Sequence, residues 1–320
     1  MKLYKNSPKS HHIHQSVLFC NSAHIDTMKH FVALIGAICL VGGIQAAGTV
    51  VDNVAGNLTI GINTFNANVL AFNATITAGD ALIRQAFNNW NATMLKNVTA
   101  IQQRFQPYTM LSTNGISSIL SNLGMINIMP LSSDPNFQSV NTTVQSQIQQ
   151  VATALNMAAL NITAQVNCTN TFSINCMIKY GAQLTQKPIL VSRFGECFTN
   201  ETARLAIVAQ NISTSINTTL AFTQTLFNLS NICTIPTVAQ LTPPANAMNF
   251  NTPSTQCINQ YLSGLSQIPT YFNFADTARW TQVNLITQRI QRCATLVQYD
   301  ITDSINRVQN SFGTCLKTGV

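Results

Sequence analysis

Residues 275–316 read ADTARWTQVNLITQRIQRCATLVQYDITDSINRVQNSFGTCL. Apolar side chains recur at Trp280, Val283, Ile286, Ile290, Cys293, Val297, Ile301, Ile305, Val308, Phe312 and Cys315. Each step is three or four residues, the spacing that keeps side chains on one face of a helix. Asn273 or Asp276 can cap its N-terminus, Lys317 stands at the negative end of the dipole, and Asp303 precedes Arg307 at the favourable i,i+4 offset. Such a helix is roughly 60 Å long at 1.5 Å per residue. One apolar stripe of that length needs helical partners along its whole extent. The stretch therefore predicts an all-α fold of long antiparallel amphipathic helices, with a long C-terminal helix.

Upstream the same spacing returns. Val54, Leu58, Ile62, Phe65, Val69, Phe72 and Ile76 form one stripe, although Leu58, Ile60 and Ile62 also alternate as a strand would. After Gly79-Asp80 it resumes at Ile83, Phe87, Trp90, Met94, Val98, Ile101 and Phe105, and Pro107 ends this helix pair. Residues 107–135 read as a connection with one short helix over 112–123. Phe137, Val140, Val144, Ile148, Val151, Leu155, Ala158, Ile162 and Val166 mark the next helix. Residues 168–197, with Gly181, Pro188 and Gly195, read as a loop region. A helix over about 200–232 follows, with Leu205, Val208, Ile212, Ile216, Leu220 and Phe227 inward. Pro236, Pro243, Pro244 and Pro253 then define a linker over 236–253. Ile258, Tyr261, Leu262 and Leu265 give a short helix that Pro269 turns into the last one, so 254–320 is expected to be a helical hairpin. The larger domain spans 48–235. Trp90 and Trp280 both fall on stripes and are expected in the core.

Only 8% of the residues are charged, against about a quarter in ordinary domains. Asn, Gln, Ser and Thr account for 119 of the 320 residues, so the surface is polar but mostly uncharged. The formal charge of +7 does not describe a nucleic-acid binder. From Gly48 onward twelve Lys and Arg stand against eight Asp and Glu, a net of +4 without a cluster.

The N-terminus reads as a secretory signal over 28–47, behind an upstream extension of residues 1–27. Lys29 and His30 form the charged region, residues 31–41 the apolar core, and Ala46-Ala47-Gly48 the cleavage site. An uncleaved anchor is the alternative, since residues 31–51 carry no charge. Cleavage leaves no stable membrane span and places the chain outside the cell. It also removes all five histidines, His11, His12, His14, His24 and His30. A mature chain without histidine has no Ser-His-Asp, Cys-His or His-metal site. Glu196 and Glu201, the only glutamates, are a carboxylate pair on paper, but both adjoin a helix entry where an acid ordinarily serves the dipole. The chain is read as non-enzymatic, without catalytic, cofactor or metal residues.

Seven cysteines follow the cleavage site: Cys168, Cys176, Cys197, Cys233, Cys257, Cys293 and Cys315. None forms a C-x-x-C pair, and disulfides are the default in a secreted chain. Cys293 and Cys315 lie on one face of one helix and cannot bridge each other, and Cys197 and Cys233 flank one helix and are excluded likewise. Cys168 could close a short loop with Cys176, Cys257 could reach Cys293 across the Pro269 turn, and Cys315 would then take Cys233 or Cys197. An odd cysteine remains, free to react or to link two copies as a dimer. N-x-[ST] sequons start at Asn57, Asn73, Asn91, Asn97, Asn141, Asn161, Asn167, Asn200, Asn211, Asn217 and Asn228. None of these asparagines occupies an apolar stripe, as glycan attachment requires.

The pattern of Cys257-Ile-Asn-Gln-Tyr261, Tyr271, Cys293 and Cys315 on amphipathic helices resembles the cysteine-bearing helical domain of insect secreted proteins related to the tsetse EP midgut protein. The resemblance covers residues 197–320 and rests on spacing; the acidic repeat tail of that protein is missing. It implies a secreted, non-enzymatic gut or body-fluid protein. Together these readings give a disulfide-bonded helical glycoprotein with a structural or interaction role, whose partner would be a protein or a glycan. The alternative is an extracellular carrier holding an apolar ligand in a helical-bundle cavity.

Overall fold

The three- and four-residue steps become helix in the computed structural model, which describes residues 44–105, 115–167, 170–232 and 253–319. The helices are α1 (Ile44–Phe105), α2 (Gly115–Gly124), α3 (Pro135–Ala164), α4 (Thr171–Thr185), α5 (Arg193–Ile232) and α6 (Pro253–Thr318). Turns of 3-10 helix occur at Leu131–Ser133 and Pro188–Ser192. Among the described residues there is no strand, and the fold is all-α. Residues 1–43, which hold the expected extension and most of the expected signal, and residues 236–252 of the expected linker lie outside the described residues.

Two expected breaks are absent. α1 is one helix of 62 residues and runs straight through Gly79-Asp80. Gly79 is a contact point: a Cβ there would stand 2.9 Å from the side chains of Ala209 and Leu131. Gly61 is equally tight against the Pro188 carbonyl of the 3-10 turn, and Gly195 of α5 against Asn68 of α1, so a glycine on one side of each contact lets α1 approach its neighbours closely. α6 likewise holds Pro269 in its interior and spans 66 residues, roughly 99 Å, as one helix rather than a hairpin. An interior proline costs a helix about 3 kcal/mol. Leu265, Ile268, Phe272 and Ala275 are all buried on either side of it, and that burial carries the helix past the lost hydrogen bond. Asn273 and Asp276 therefore lie inside α6 and cap nothing, while Pro253 opens it, where a missing N–H is harmless. At the other end Gly319, with φ 88°, donates its N–H to the Cys315 carbonyl and closes the helix.

Where it is described, the expected loop region is mostly helical, with α4 over Thr171–Thr185, a 3-10 turn over Pro188–Ser192 and the start of α5 at Arg193. Asn170 caps α4 by accepting from the Phe172 N–H, and Gly181 inside α4 makes room for Val50 of α1. Trp280 is 54% exposed and outside the core, whereas Trp90 is 1% exposed. The buried line of α6 enters from Tyr261, Leu265, Ile268, Phe272 and Ala275 and reaches Arg279 and then Val283. Position 280 falls beside it.

Successive long helices alternate in direction. α3 runs back along α1, with Phe72 edge-on to Phe137 at 5.7 Å. α5 returns parallel to α1, as Phe65–Phe198 (6.0 Å) and the Trp90 Nε1 to Thr223 Oγ1 bond (3.2 Å) show at successive heights. α6 descends antiparallel to α5, from Tyr271 beside Phe222 to Asp300 paired with Arg193. α4 lies antiparallel against the end of α6, where Tyr180 meets Phe312 at 6.5 Å. This is the up-down-up-down order of a helical bundle.

The disulfides follow from these directions and differ from the expected pairings. Cys176 bonds Cys315 (Cα–Cα 5.9 Å), and Cys197 bonds Cys293 (5.7 Å). Cys257 cannot reach Cys293, because an unbroken α6 separates them by roughly 54 Å. Cys315 takes neither Cys197 nor Cys233, because α4 delivers Cys176 to it first; Cys176 is thereby unavailable to Cys168. Cys257 is itself disulfide-bonded, to a cysteine outside the described residues. Cys168 and Cys233 also lie outside them.

Candidate functional site

A chain this poor in charge buries four charged side chains among its described residues: Asp80, Asp134, Glu201 and Arg279. Three of them converge on the short segment 131–134. Asp80, on α1, accepts from the backbone N–H of Leu131 (2.5 Å) and of Ser132 (3.2 Å). Asp134 caps α3, its Oδ1 accepting from the Asn136 N–H at 3.0 Å, with Pro135 at the first helical position. Its other oxygen takes Arg279 Nη1 at 2.9 Å, and Arg279 Nε donates to Asp276 at 2.8 Å. Side chains 3% and 1% exposed thus form an ion pair inside the bundle.

The two glutamates do not form an acid/base pair. Glu201 is buried with both oxygens engaged, one by Arg204 (2.7 Å) and one by Arg289 (2.9 Å). Glu196 is exposed in the first turn of α5, where its charge complements the dipole. Five residues apart, they point roughly 140° from each other round the helix. Among the described residues no group of three or more His, Cys, Asp or Glu could hold a metal, and no helix is long and apolar enough to cross a membrane.

Two surface grooves accompany α6. Between α3 and α6 a groove of about 670 Å³ is lined by hydroxyls and amides, from Ser139, Thr142 and Thr143 to Gln150 and Gln298. Between α5 and α6 a smaller one, about 460 Å³, is lined by Phe222, Leu226 and Gly264 together with Gln260, Ser263 and Gln267.

The sequon asparagines are spread over α1, α3, the loop after α3, and α5. Asn73, Asn91, Asn161, Asn167, Asn200, Asn211, Asn217 and Asn228 are exposed, and Asn57, Asn97 and Asn141 are half-buried. None is buried. Asn57 Nδ2, the atom that would carry a sugar, donates to the Thr185 carbonyl at 2.6 Å, and Asn97 Nδ2 donates to the Thr93 carbonyl at 2.8 Å.

Comparison with protein families, curated proteins and solved structures finds no match.

The sequence reading missed the Asp134–Arg279 pair, though part of its signal is visible. Asp-Pro directly before an apolar stripe is a helix start. Arg279 sits four residues after Ala275 and four before Val283, a charge on the buried line. Removing one member of such a pair strands the other. Asp134→Ala is expected to lower unfolding stability by about 3–5 kcal/mol, whereas Asp276→Ala, at the exposed partner, should cost under about 1 kcal/mol. Chemical denaturation of both variants checks this; equal, small losses would contradict a buried role for Arg279.

Proposed function

We propose that this chain is a secreted, disulfide-bonded helical glycoprotein with a structural or interaction role, non-catalytic, working in a protease-rich fluid such as a gut lumen. The observation that carries the reading is that none of the eleven sequon asparagines is buried and eight are exposed. Sugars need water, and a bundle that kept any of these positions in its core could not accept them there. Disulfides support the same compartment, because they persist in oxidising surroundings. The spacing of Cys257, Tyr261, Tyr271, Cys293 and Cys315, which resembles that of insect secreted proteins, is in keeping with this reading.

Scarcity of charge supports the fluid. Between Arg104 and Lys179, and again between Arg204 and Arg279, the chain has no Lys or Arg. Each gap contains sequons, and the second contains the Pro-rich linker. Trypsin-like proteases need a cation at the cleaved bond. They find none anywhere in either stretch. A second reading, an extracellular carrier of apolar ligands, is favoured by the groove beside Phe222 and Leu226.

Native mass spectrometry of the secreted protein tests both readings. The mass should exceed that of the chain from Ala47 by several N-glycans, and glycosidase should remove the excess. The exposed asparagines should be occupied ahead of Asn57, Asn97 and Asn141. Unchanged mass after glycosidase would overturn the glycoprotein reading, and a stoichiometric apolar adduct in place of a bare protein would favour the carrier. In a matched time course, the native glycoprotein should outlast a Lys/Arg-rich helical protein of similar stability against trypsin. Equal rates would remove the argument for a protease-rich fluid.

A further inference from the structure

α6 has a second apolar line, opposite its buried one; only Tyr271, at the edge of that line, also packs against a neighbouring helix, with its ring 5.3 Å from Phe222 of α5. Tyr271, Phe274, Leu285, Leu296 and Tyr299 are 42%, 77%, 40%, 70% and 70% exposed. The buried line of the same helix, from Phe272 through Val283 and Ile290 to Ile301, occupies the opposite face. Five of the six large apolar side chains exposed on α6 share one face over about 42 Å, with Ala278, Thr281, Gln288 and Arg292 between them; the sixth, Trp280, falls on another side of the helix.

The strip is symmetric about its middle. Tyr271 and Tyr299 each lie fourteen residues from Leu285, and Phe274 and Leu296 each lie eleven. Fourteen and eleven residues are close to four and three full turns, so all five side chains stay in register on one face. A two-fold interface requires this arrangement, because each patch must meet its own copy in reverse. Laid antiparallel about Leu285, two α6 helices set Tyr271 of one copy opposite Tyr299 of the other. Phe274 then meets Leu296, and Leu285 meets itself. Ala278 and Arg292, each seven residues from the centre, also face one another, so the long cation finds a small side chain and no opposing charge.

α6 is also the one long helix that glycans would leave bare. Its five asparagines, Asn259, Asn273, Asn284, Asn306 and Asn310, all lack Ser or Thr two residues on. All eleven sequons lie between Asn57 and Asn228. We infer that the Tyr271–Tyr299 strip of α6 binds a second copy of this chain, as an antiparallel two-fold dimer centred on Leu285. The absence of sequons from α6 bears on this only if the glycoprotein reading holds; the symmetry of the strip does not depend on it. An interface built on one helix pair is at the small end of specific contacts, with dissociation on the order of micromolar.

The test is sedimentation equilibrium of the full secreted protein across about 1–200 µM, a range that brackets that affinity, before and after glycan removal. The wild type should show a monomer–dimer equilibrium. Leu285→Arg places two cations together at the axis and should weaken the dimer by about 100-fold or more. Leu70→Arg, at a 71% exposed leucine of α1, should leave it unchanged. Both sites are exposed, and circular dichroism checks that the helices remain. Register is read by cross-linking: Leu285→Cys should form a disulfide dimer alone, and Phe274→Cys should cross-link with Leu296→Cys but not with itself. A monomer at every concentration overturns the inference, including one whose strip is covered by residues 233–252 of the same chain or by a different partner. So does a Leu285→Arg dimer of undiminished affinity, or a Phe274→Cys that cross-links to itself. A glycan-free dimer would keep this inference and remove the glycoprotein reading, and a glycosylated monomer would do the reverse.

Discussion

Arg279 is the one cation buried among the described residues, and its pairing with Asp134 fixes how three helices meet. A guanidinium withdrawn from water and left without its carboxylate costs several kcal/mol, so α6 cannot slide along α3 by a turn without losing more than packing. Asp134 is committed to α3 as its cap, and the segment it belongs to is held to α1 by Asp80. α1, α3 and α6 thus share one origin at residues 131–134. A buried ion pair of this kind adds little net stability compared with apolar packing; its effect is to make the wrong registers expensive. Further along, Glu201 with Arg289 and the Cys197–Cys293 bond repeat the device for α5, and Cys176–Cys315 does so for α4.

Long helices this rich in Asn, Thr, Ser and Gln need such fixing, because their own propensity is weak. Threonine hydroxyls on α1, α3, α5 and α6 donate back to the carbonyl four residues earlier, as at Thr64, Thr153, Thr218 and Thr281. These bonds satisfy the hydroxyl locally without holding one helix to another. Cohesion therefore falls to the apolar stripes and the cross-links. The stripes are narrow. Two disulfides closing loops of 139 and 96 residues restrict the unfolded chain strongly, about 4–5 kcal/mol each in the chain-entropy view. A surface with few charges is also poor in long-range repulsion, and the sugars proposed for the exposed asparagines would supply solubility in its place.

Periodicity made the helices legible from the sequence, and with them nearly every buried residue of α3; in α5 it found Leu205, Val208, Ile212, Ile216 and Phe227 but passed over Phe194, Phe198 and Leu226. What it could not convey was continuity. Gly79-Asp80 and Pro269 are ordinary break signals, and each is overridden by a contact that only the assembled bundle provides: Ala209 against Gly79, and the buried residues on either side of Pro269. The expected Cys257–Cys293 bond descends from the second of these, because a hairpin at Pro269 would bring the two together and an unbroken helix cannot, whereas the expected Cys168–Cys176 bond came from reading 168–197 as a loop where α4 carries Cys176 to Cys315. Trp280 was misassigned for a related reason. The buried line shifts by one residue when it is drawn from Tyr261, and a charged Arg279 takes the place that hydrophobicity alone would give to tryptophan. The sequon asparagines were easier to read, since exposure follows directly from which helix face is apolar.

The account depends on an unbroken α6 that reaches α5 at its middle and α4 at its end within an oxidising compartment. Peptide mapping of unreduced protein, collected from the medium of expressing cells, tests this most directly. The account predicts disulfide-linked peptides joining Cys197 to Cys293 and Cys176 to Cys315. Free thiols at these positions, or a Cys257–Cys293 link, would contradict it.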